Sequence, residues 1–303
     1  MWLILALTGY ILLAIVFVLD KFILTETVSK PVVYTFYSTI FMFGALLAWP
    51  LGVEMLVGID WLWALVSGLG FGFGMWAMFI AVKGGEASHV NPFIGAVITI
   101  VTFGLASMFL GESLTSVQLL GMLVLAGSTL LLAFFNERGM IGFNKSYAWG
   151  IVAAVLFAVS HTTAKYLYEV YPFLTGFVWT RATTGIVGLL VLFAPAVRQT
   201  FVPVSRSHAQ ADKRRTSIVL VAGDKVLSVV GVVLIQLAIA LGSVTLVNAL
   251  VGVQYALMFA LIFLLTKFAP RMFKETFSRS EVVVQTIAIV LVVVGSAMFV
   301  FRM

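Results

Sequence analysis

The stretch GEASHVNPFIG, residues 85–95, has a counterpart 157 residues later in GSVTLVNALVG, residues 242–252. The two stretches share Gly, Val, Asn and Gly at four of eleven positions. Asn91 and Asn248 fall on one another, although the chain contains only four Asn. Because each stretch opens a long apolar segment, the repeated polar residue indicates an internal repeat.

The composition around these stretches is that of a membrane protein. The chain is 62% hydrophobic and 10% charged, whereas an average soluble domain is about 25% charged. Apolar runs of about 18–25 residues, the length that crosses the hydrocarbon core of a bilayer, recur along the chain. Since lipid offers no partner to a backbone amide, these runs must be helices. We predict an all-α integral membrane protein with ten spans, approximately 2–19, 31–50, 61–82, 88–110, 116–135, 147–168, 173–196, 217–240, 243–266 and 281–301.

The repeat extends to both halves of the chain. The matched positions keep their order while their spacing drifts, as loop insertions would cause; they are Lys21 with Lys165, Pro31 with Pro172, Thr39 with Thr180, and Glu112 with Glu275. Apolar composition alone can also make two segments resemble one another, but these positions are mainly polar or Pro. Because five spans per half is an odd number, the second half enters the membrane from the opposite side. We predict two inverted five-helix units, 1–138 and 139–303.

Several longer motifs resemble the drug/metabolite transporter superfamily, specifically the ten-helix EamA-type transporters. They are NPFIGAVITIVTFGLASMFLGESLTSVQLLGMLVLAGSTLLL (91–132), its degenerate copy at 248–301, the Lys that closes the first span of each half, and PFLTGFVWTRATTGIVGLLV (172–191). The resemblance implies a secondary transporter, with export as its direction. The halves also differ, since Ile40 stands where Arg181 stands in the second half and the 266–280 loop is enlarged and basic.

The distribution of Lys and Arg predicts the orientation in the membrane. Loops after the odd-numbered spans hold fourteen of these residues, and the other side holds two, Lys165 and Arg302. The positive-inside rule places the fourteen in the cytoplasm and both termini outside. The family resemblance implies the reverse, with both termini in the cytoplasm, so the orientation stays open. A multi-pass plasma-membrane location follows from either arrangement.

Five ionisable residues fall within the predicted spans and are candidates for the solute path, because such residues are costly in lipid. His161 and Lys165 are four residues apart and share one helix face, although Lys165 can also extend to the membrane surface. Arg181 either pairs with a carboxylate or helix-end carbonyls, or binds an anionic solute. Asp224 can carry protons if burial raises its pKa, or it can form a fixed charge pair. Its neighbour Lys225 points about 100° around the helix, so the two need not pair.

Uncharged residues add four weaker candidates. Asn91 and Asn248 can cap a helix, bond to a neighbouring helix or line the path, and Pro92 favours capping by Asn91. Trp76 and Tyr255, together with Phe71 and Phe73, can form an aromatic pocket. Two overlapping GxxxG pairs, Gly68 with Gly72 and Gly70 with Gly74, predict close helix packing.

The sequence contains no enzyme motif of the HExxH, GxSxG or Walker type. With no Cys and three His, we expect no transition-metal site and no cofactor. The net charge of +6 reports membrane topology, so no nucleic-acid partner is expected. The sequence therefore predicts a non-enzymatic transporter of a small organic solute, with proton coupling as an open possibility. The alternative is a membrane scaffold or sensory subunit that keeps the transporter fold without transport.

Overall fold

A computed structural model describes residues 1–26, 30–85, 87–136, 139–140, 144–201, 208–268 and 279–300. Within these ranges, ten helical segments are long and apolar enough to cross a membrane. They coincide with the ten predicted spans, and the all-α membrane fold is confirmed. The side chain of Lys21 and all of Glu275, which take part in the predicted repeat, lie outside what the structure describes.

The helices are bounded as follows: α1 (Trp2–Glu26), α2 (Pro31–Ile40) with a 3-10 continuation (Phe41–Leu51), α3 (Asp60–Gly84), α4 (Ala87–Phe109), α5 (Ser116–Phe134), α6 (Lys145–Val170), α7 (Phe173–Val191), α8 (Pro195–Arg198) with a 3-10 turn (Gln199–Phe201), α9 (His208–Leu241), α10 (Val244–Ala249), α11 (Val251–Phe268) and α12 (Arg279–Val300). Two strands of two residues, Phe135–Asn136 and Gly139–Met140, pair antiparallel after α5.

Two of the spans are less regular than the sequence predicts. The second span changes from an α-helix to a 3-10 helix at Phe41. The ninth span is interrupted at Leu250, whose amide donates to the carbonyls of Leu246 at 3.3 Å and Val247 at 3.2 Å. Such shared three- and four-residue bonds tighten the backbone and end a helix segment. The span is consequently divided into α10 and α11, and Asn248 lies just before the break.

Corresponding helices of the two halves run in opposite directions. Glu112, which follows α4, hydrogen-bonds Ser243, which precedes α10. Gly121 near the start of α5 packs against Gly295 near the end of α12. In each pair the end of one helix meets the beginning of its counterpart, which confirms the inverted arrangement. The predicted boundary between residues 138 and 139 falls where the structure is not described, so the unit limits stay a prediction.

Helices of the two halves also pack against one another, since α3 packs along α6 and α9 packs along α1. Glycines allow this approach. Added Cβ atoms would meet α7 at Gly68 and Gly72, and α6 at Gly70 and Gly74. The close packing predicted from the GxxxG pairs is confirmed, with each pair serving a different neighbour.

The two ends of the helix bundle differ in the helix ends and charges that they carry. The terminal face is the end at which α1 begins, and it also carries the end of α6 and the start of α10. The basic face is the opposite end, where the sequence places fourteen Lys and Arg.

Candidate solute cavity between the halves

A cavity of about 210 Å³ lies between the two halves. Helices α1 to α4 of the first half and α6, α9, α10 and α11 of the second contribute to its wall. It extends from the middle of the bundle toward the basic face, because its lining includes Ser38 in the first half of the second span (Pro31–Leu51) and Phe79 near the end of α3. The cavity is therefore shared by both repeats and offset toward one end.

Most of the cavity wall is aromatic or aliphatic, with Phe17, Phe41, Phe71 and Phe157 among its rings. The polar residues of the wall are Tyr10, Tyr37, Ser38, His161, Lys225, Ser228, Gln236, Asn248, Gln254 and Tyr255. No Asp or Glu of the described residues contributes to it. An apolar wall with a few convergent polar groups is the usual character of a site for a small organic molecule.

The two openings that the inverted symmetry relates are in different states. Toward the terminal face, α3 and α7 are in direct contact, and Thr183 Oγ1 donates to the carbonyl of Ala64 at 2.7 Å. The related helices α2 and α9 have little contact across the described residues. Ser38 on α2 and Ser228 on α9 instead form opposite walls of the cavity. One side of the bundle is closed, and the other is parted.

Hydrogen bonds reinforce the closed side at the terminal face. Asp60 accepts from the hydroxyl of Tyr166 at 3.0 Å and from that of Tyr171 at 2.7 Å. The bond to Asp60 stabilises the protonated phenol and so raises the pKa of Tyr171, which lies beyond the end of α6. Trp179 Nε1 donates to the carbonyl of Glu54 at 2.8 Å. These bonds tie α6 and α7 to the beginning of α3 and the segment before it.

Lys225 bridges the parted side. Its Nζ donates to the hydroxyl of Tyr34 on α2 at 2.8 Å and lies 3.0 Å from Oδ2 of Asp224. Asp224 is 0% exposed and does not line the cavity. The sequence left this pairing open, and it forms because the long Lys side chain bends back to the carboxylate. The geometry is that of a fixed charge pair, and a proton-carrying role for Asp224 stays a prediction.

His161 and Asn248 meet at the inner end of the cavity. Nδ1 of His161 and Oδ1 of Asn248 are 3.0 Å apart, and Asn248 Nδ2 donates to Thr102 Oγ1 at 3.2 Å. With this amide orientation, His161 carries its proton on Nδ1. The Asn248 side chain thus links α6, α10 and α4, while His161 and Asn248 both remain part of the cavity wall. The helix linkage considered for Asn248 is therefore present, and its contact with a solute stays a prediction.

Asn91 is placed differently from its counterpart. Helix α4 begins at Ala87, so Asn91 and Pro92 lie inside the helix and Asn91 does not cap it. The capping interpretation is therefore wrong. In the second half the cap is Ser243, whose hydroxyl accepts from the amide of Leu246 at 2.9 Å. Asn91 is buried but is not part of the cavity wall.

Lys165 turns away from the cavity although it shares a helix face with His161. Its Nζ donates to the carbonyl of Ala240 at 3.3 Å and pairs with Glu169 at 3.3 Å. Ala240 is in the last turn of α9, where backbone carbonyls lack helical partners and favour a cation. Lys165 therefore stabilises the end of α9 from the neighbouring helix.

Arg181 is buried without a polar partner. It is 1% exposed, and Nε, Nη1 and Nη2 have no hydrogen bond within the described parts of the chain. Its guanidinium carbon lies 4.2 Å from the ring centre of Phe71 and 5.8 Å from that of Phe177. The pairing with a carboxylate or helix-end carbonyls that the sequence suggested is not found there. An Arg at the centre of a span costs about 2.5–3.5 kcal/mol on insertion scales, which the contacts with these rings offset in part.

The two aromatic candidates, Tyr255 and Trp76, lie in different places relative to the cavity. Tyr255 lines the cavity and packs against Phe17, with ring centres 6.2 Å apart. Trp76 packs with Phe73 in the cluster formed with α2 and α7, and it is not part of the wall. Gln236 and Gln254 were not among the sequence candidates, although a polar amide inside a span is a signal that would have found them.

Ten spanning helices in two inverted halves around a shared cavity define a polytopic membrane protein with the architecture of a transporter. Residues 1–134, which end with the last residue of α5, match the model of the EamA-like transporter family. The resemblance drawn from the sequence is thereby confirmed for the first five helices.

Two other proteins are similar to this chain. A curated protein of Sinorhizobium sp., described as "Uncharacterized transporter in cobO 3'region", is 38% identical over 79 residues, 26% of this chain. The match spans about half of that relative's length, 55%. A solved chain described as "Crystal structure of protein" is 20% identical and has a TM-score of 0.64 over 98% of this chain and 94% of its own. At that identity the likeness shows the fold alone.

Proposed function

We propose that the protein is a secondary transporter that exports a small organic solute, such as an amino acid or another metabolite, by alternating access. The observation that carries the proposal is the unequal state of two symmetry-related openings. Helices α3 and α7 are closed toward the terminal face, while α2 and α9 are parted around the cavity. If the halves exchange conformations, the same cavity opens to the other side.

The cavity wall restricts the class of solute. Its aromatic and Met side chains suit an apolar body, and His161, Asn248, Gln236 and Gln254 offer hydrogen bonds. The described wall includes one basic residue of the Lys or Arg type, Lys225, and no carboxylate that would balance a cationic solute. The wall therefore favours a neutral, zwitterionic or anionic solute with an apolar portion over a polycation.

The position of the opening supports export. If the basic face lies in the cytoplasm, as the Lys and Arg distribution predicts, the parted helices admit solute from inside the cell. A plasma-membrane exporter needs that state for loading. If both termini instead lie in the cytoplasm, as the family resemblance implies, the parted helices open to the outside of the cell. The side on which the cavity opens is therefore measured together with transport.

The direct test is solute flux in proteoliposomes. Purified protein is reconstituted, loaded with a panel of unlabelled amino acids and metabolites, and assayed for exchange against the same labelled solutes, with protein-free liposomes as the control. We expect saturable exchange for at least one solute. No exchange across the panel, together with stable capture of a partner protein, would instead support a scaffold or sensory subunit.

Single cysteines test the opening and the orientation together, because the chain has no native Cys. Ser228→Cys places a thiol on the cavity wall, and Thr184→Cys places one in the closed contact between α3 and α7. We expect a membrane-impermeant maleimide to label Ser228→Cys at least tenfold faster than Thr184→Cys. Labelling should occur in inside-out vesicles and be weak in intact cells. Labelling of Ser228→Cys only in intact cells would contradict the proposed orientation.

Asp224→Asn tests proton coupling. Because Asp224 is held by Lys225 and is absent from the cavity wall, we expect the variant to lower flux through loss of the ion pair without changing its pH dependence. Flux is measured between pH 5.5 and 8.5, with Ser228→Ala as the control at the neighbouring wall. Loss of an existing pH dependence in Asp224→Asn alone would assign the proton-carrying role to this carboxylate.

A further inference from the structure

We propose that Arg181 binds an anionic oxygen-bearing group of the transported solute, a carboxylate, and that the Phe71 ring must move aside to admit it. The inference rests on the proposed transport function and deepens it by naming the charged group of the solute. Arg181 is not part of the cavity wall in this conformation, whereas Phe71 is. The site is therefore formed during the transport cycle.

The first support is the set of unused donors on Arg181. A guanidinium is permanently protonated and presents five N–H groups in a planar fork that matches the two oxygens of a carboxylate. All three of its nitrogens are buried and unbonded within the described residues. The described carboxylates near this level of the bundle are engaged elsewhere, Asp60 by two tyrosines and Glu169 by Lys165.

The second support is the position of Phe71. Its ring lines the cavity and has the Arg181 guanidinium 4.2 Å from its centre. The same ring packs edge-on against Phe157, with ring centres 5.4 Å apart, and lies beside His161 at 6.3 Å. One aromatic side chain thus separates the charge from the cavity. We expect displacement of that ring to join the two.

The third support is the location of Arg181 along the transport direction. Helix α7 begins at the terminal face, and Arg181 lies in the half of the helix nearer that face. The cavity extends toward the basic face, so Arg181 lies on the closed side of it. Thr183 and Thr184, which close against α3, directly follow Arg181 on the same helix.

These features specify the solute more closely than the cavity does. A single guanidinium surrounded by Phe71 and Phe177 suits one carboxylate on an otherwise apolar or aromatic body. His161 and Asn248 remain available to a second polar group on the cavity side. The combination describes an amphipathic monocarboxylate or an amino acid held by its carboxylate.

Matched pairs of probes test the inference. Phenylacetate and phenylacetamide, and N-acetylleucine and N-acetylleucinamide, differ in the carboxylate alone. Their binding to purified protein is measured as the rise in apparent melting temperature, since a ligand that binds the folded state stabilises it. We expect the carboxylates to bind the wild type at least tenfold more tightly than the amides. Arg181→Gln should remove this preference, and Arg181→Lys should retain part of it.

A second measurement requires no substitution of Arg181 and covers the case in which its variants fail to fold. Phenylglyoxal modifies guanidinium groups, and peptide mass spectrometry reports the extent at Arg181. We expect slow modification in the wild type, several-fold faster modification in Phe71→Ala, and protection by phenylacetate but not by phenylacetamide. Phe93→Ala is the matched control, because that ring packs against Phe134 and Tyr147 and does not line the cavity.

Equal binding of acid and amide, or equal protection of Arg181 by both, would overturn the inference. Failure of this inference is distinct from failure of the proposed function. Saturable exchange of neutral solutes that is unchanged in Arg181→Gln would retain the transporter and reject the anion site. Absence of exchange for acids, amides and neutral metabolites alike would reject the transporter itself, and carboxylate-selective binding would then show an anion site in a protein that does not transport.

Discussion

Gly68→Leu is expected to abolish flux and to destabilise the purified protein by about 3 kcal/mol, the upper part of the usual range for overpacking. For a chain of this size such a loss corresponds to a fall of roughly 5 °C in melting temperature. The reason is the contact between α3 and α7. A Cβ on Gly68 would lie 2.5 Å from the amide nitrogen of Thr184 and 2.6 Å from the carbonyl carbon of Thr183.

These atoms belong to backbone, so no side-chain rotation relieves the collision. The helices must separate, and Thr183 then loses its bond to the carbonyl of Ala64. That separation opens the terminal side and prevents the closed state on which alternating access depends. Flux and stability should therefore fall together, as measured by exchange in proteoliposomes and by thermal unfolding in detergent.

Gly104→Leu is the matched control. Gly104 is also in a spanning helix, but it is exposed on the outside of the bundle and nothing lies within 4 Å of an added Cβ. The two substitutions change helix propensity by the same amount. The difference between their losses of stability therefore measures the effect of the α3–α7 contact. Equal losses in both variants would show that the α3–α7 contact is not what limits stability.

Asn248→Leu is expected to lower flux about tenfold and stability by about 1–2 kcal/mol, the range measured for side-chain hydrogen bonds between membrane helices. The substitution removes the acceptor for His161 and the donor to Thr102. Both partners are then left in an environment with few alternative hydrogen bonds. Because Asn248 also lines the cavity, solute affinity should fall along with stability.

Asn91→Leu is the comparison that the repeat itself supplies. Asn91 occupies the corresponding place in α4, but its side chain makes no hydrogen bond to any described residue and does not line the cavity. We expect its effect on flux to be at least threefold smaller than that of Asn248→Leu. Similar losses in the two variants would indicate that both residues serve the same role in the transport cycle.

The membrane fold was predictable from residue chemistry because the length of an apolar run is set by the thickness of the bilayer. The inverted arrangement followed from the odd number of spans per half together with the matching of Asn91 and Asn248. Neither inference requires knowledge of which side chains meet. The ten long apolar helices of the described residues confirm the first, and the antiparallel contacts of Gly121 with Gly295 and of Glu112 with Ser243 confirm the second.

The candidate site was only partly predictable. Of the candidates, His161, Lys225, Asn248 and Tyr255 line the cavity, whereas Lys165, Arg181, Asp224, Asn91 and Trp76 do not. A soluble helix shows which face is buried through its polar stripe, but these helices are apolar on every side, so the pattern does not report the inward face. Lys165 illustrates the consequence, because it lies one turn from His161 yet contacts the end of α9.

The sequence by itself determined the number of helices, their membrane setting and the opposed direction of the halves, since bilayer thickness and backbone hydrogen bonding act on each segment separately. Only the tertiary structure decided that α2 and α9 are parted while α3 and α7 are closed. It also decided that Lys225 pairs with Asp224, and that Phe71 stands between Arg181 and the cavity. These features depend on which helices meet and at which rotation, and that outcome is set by packing across the whole bundle.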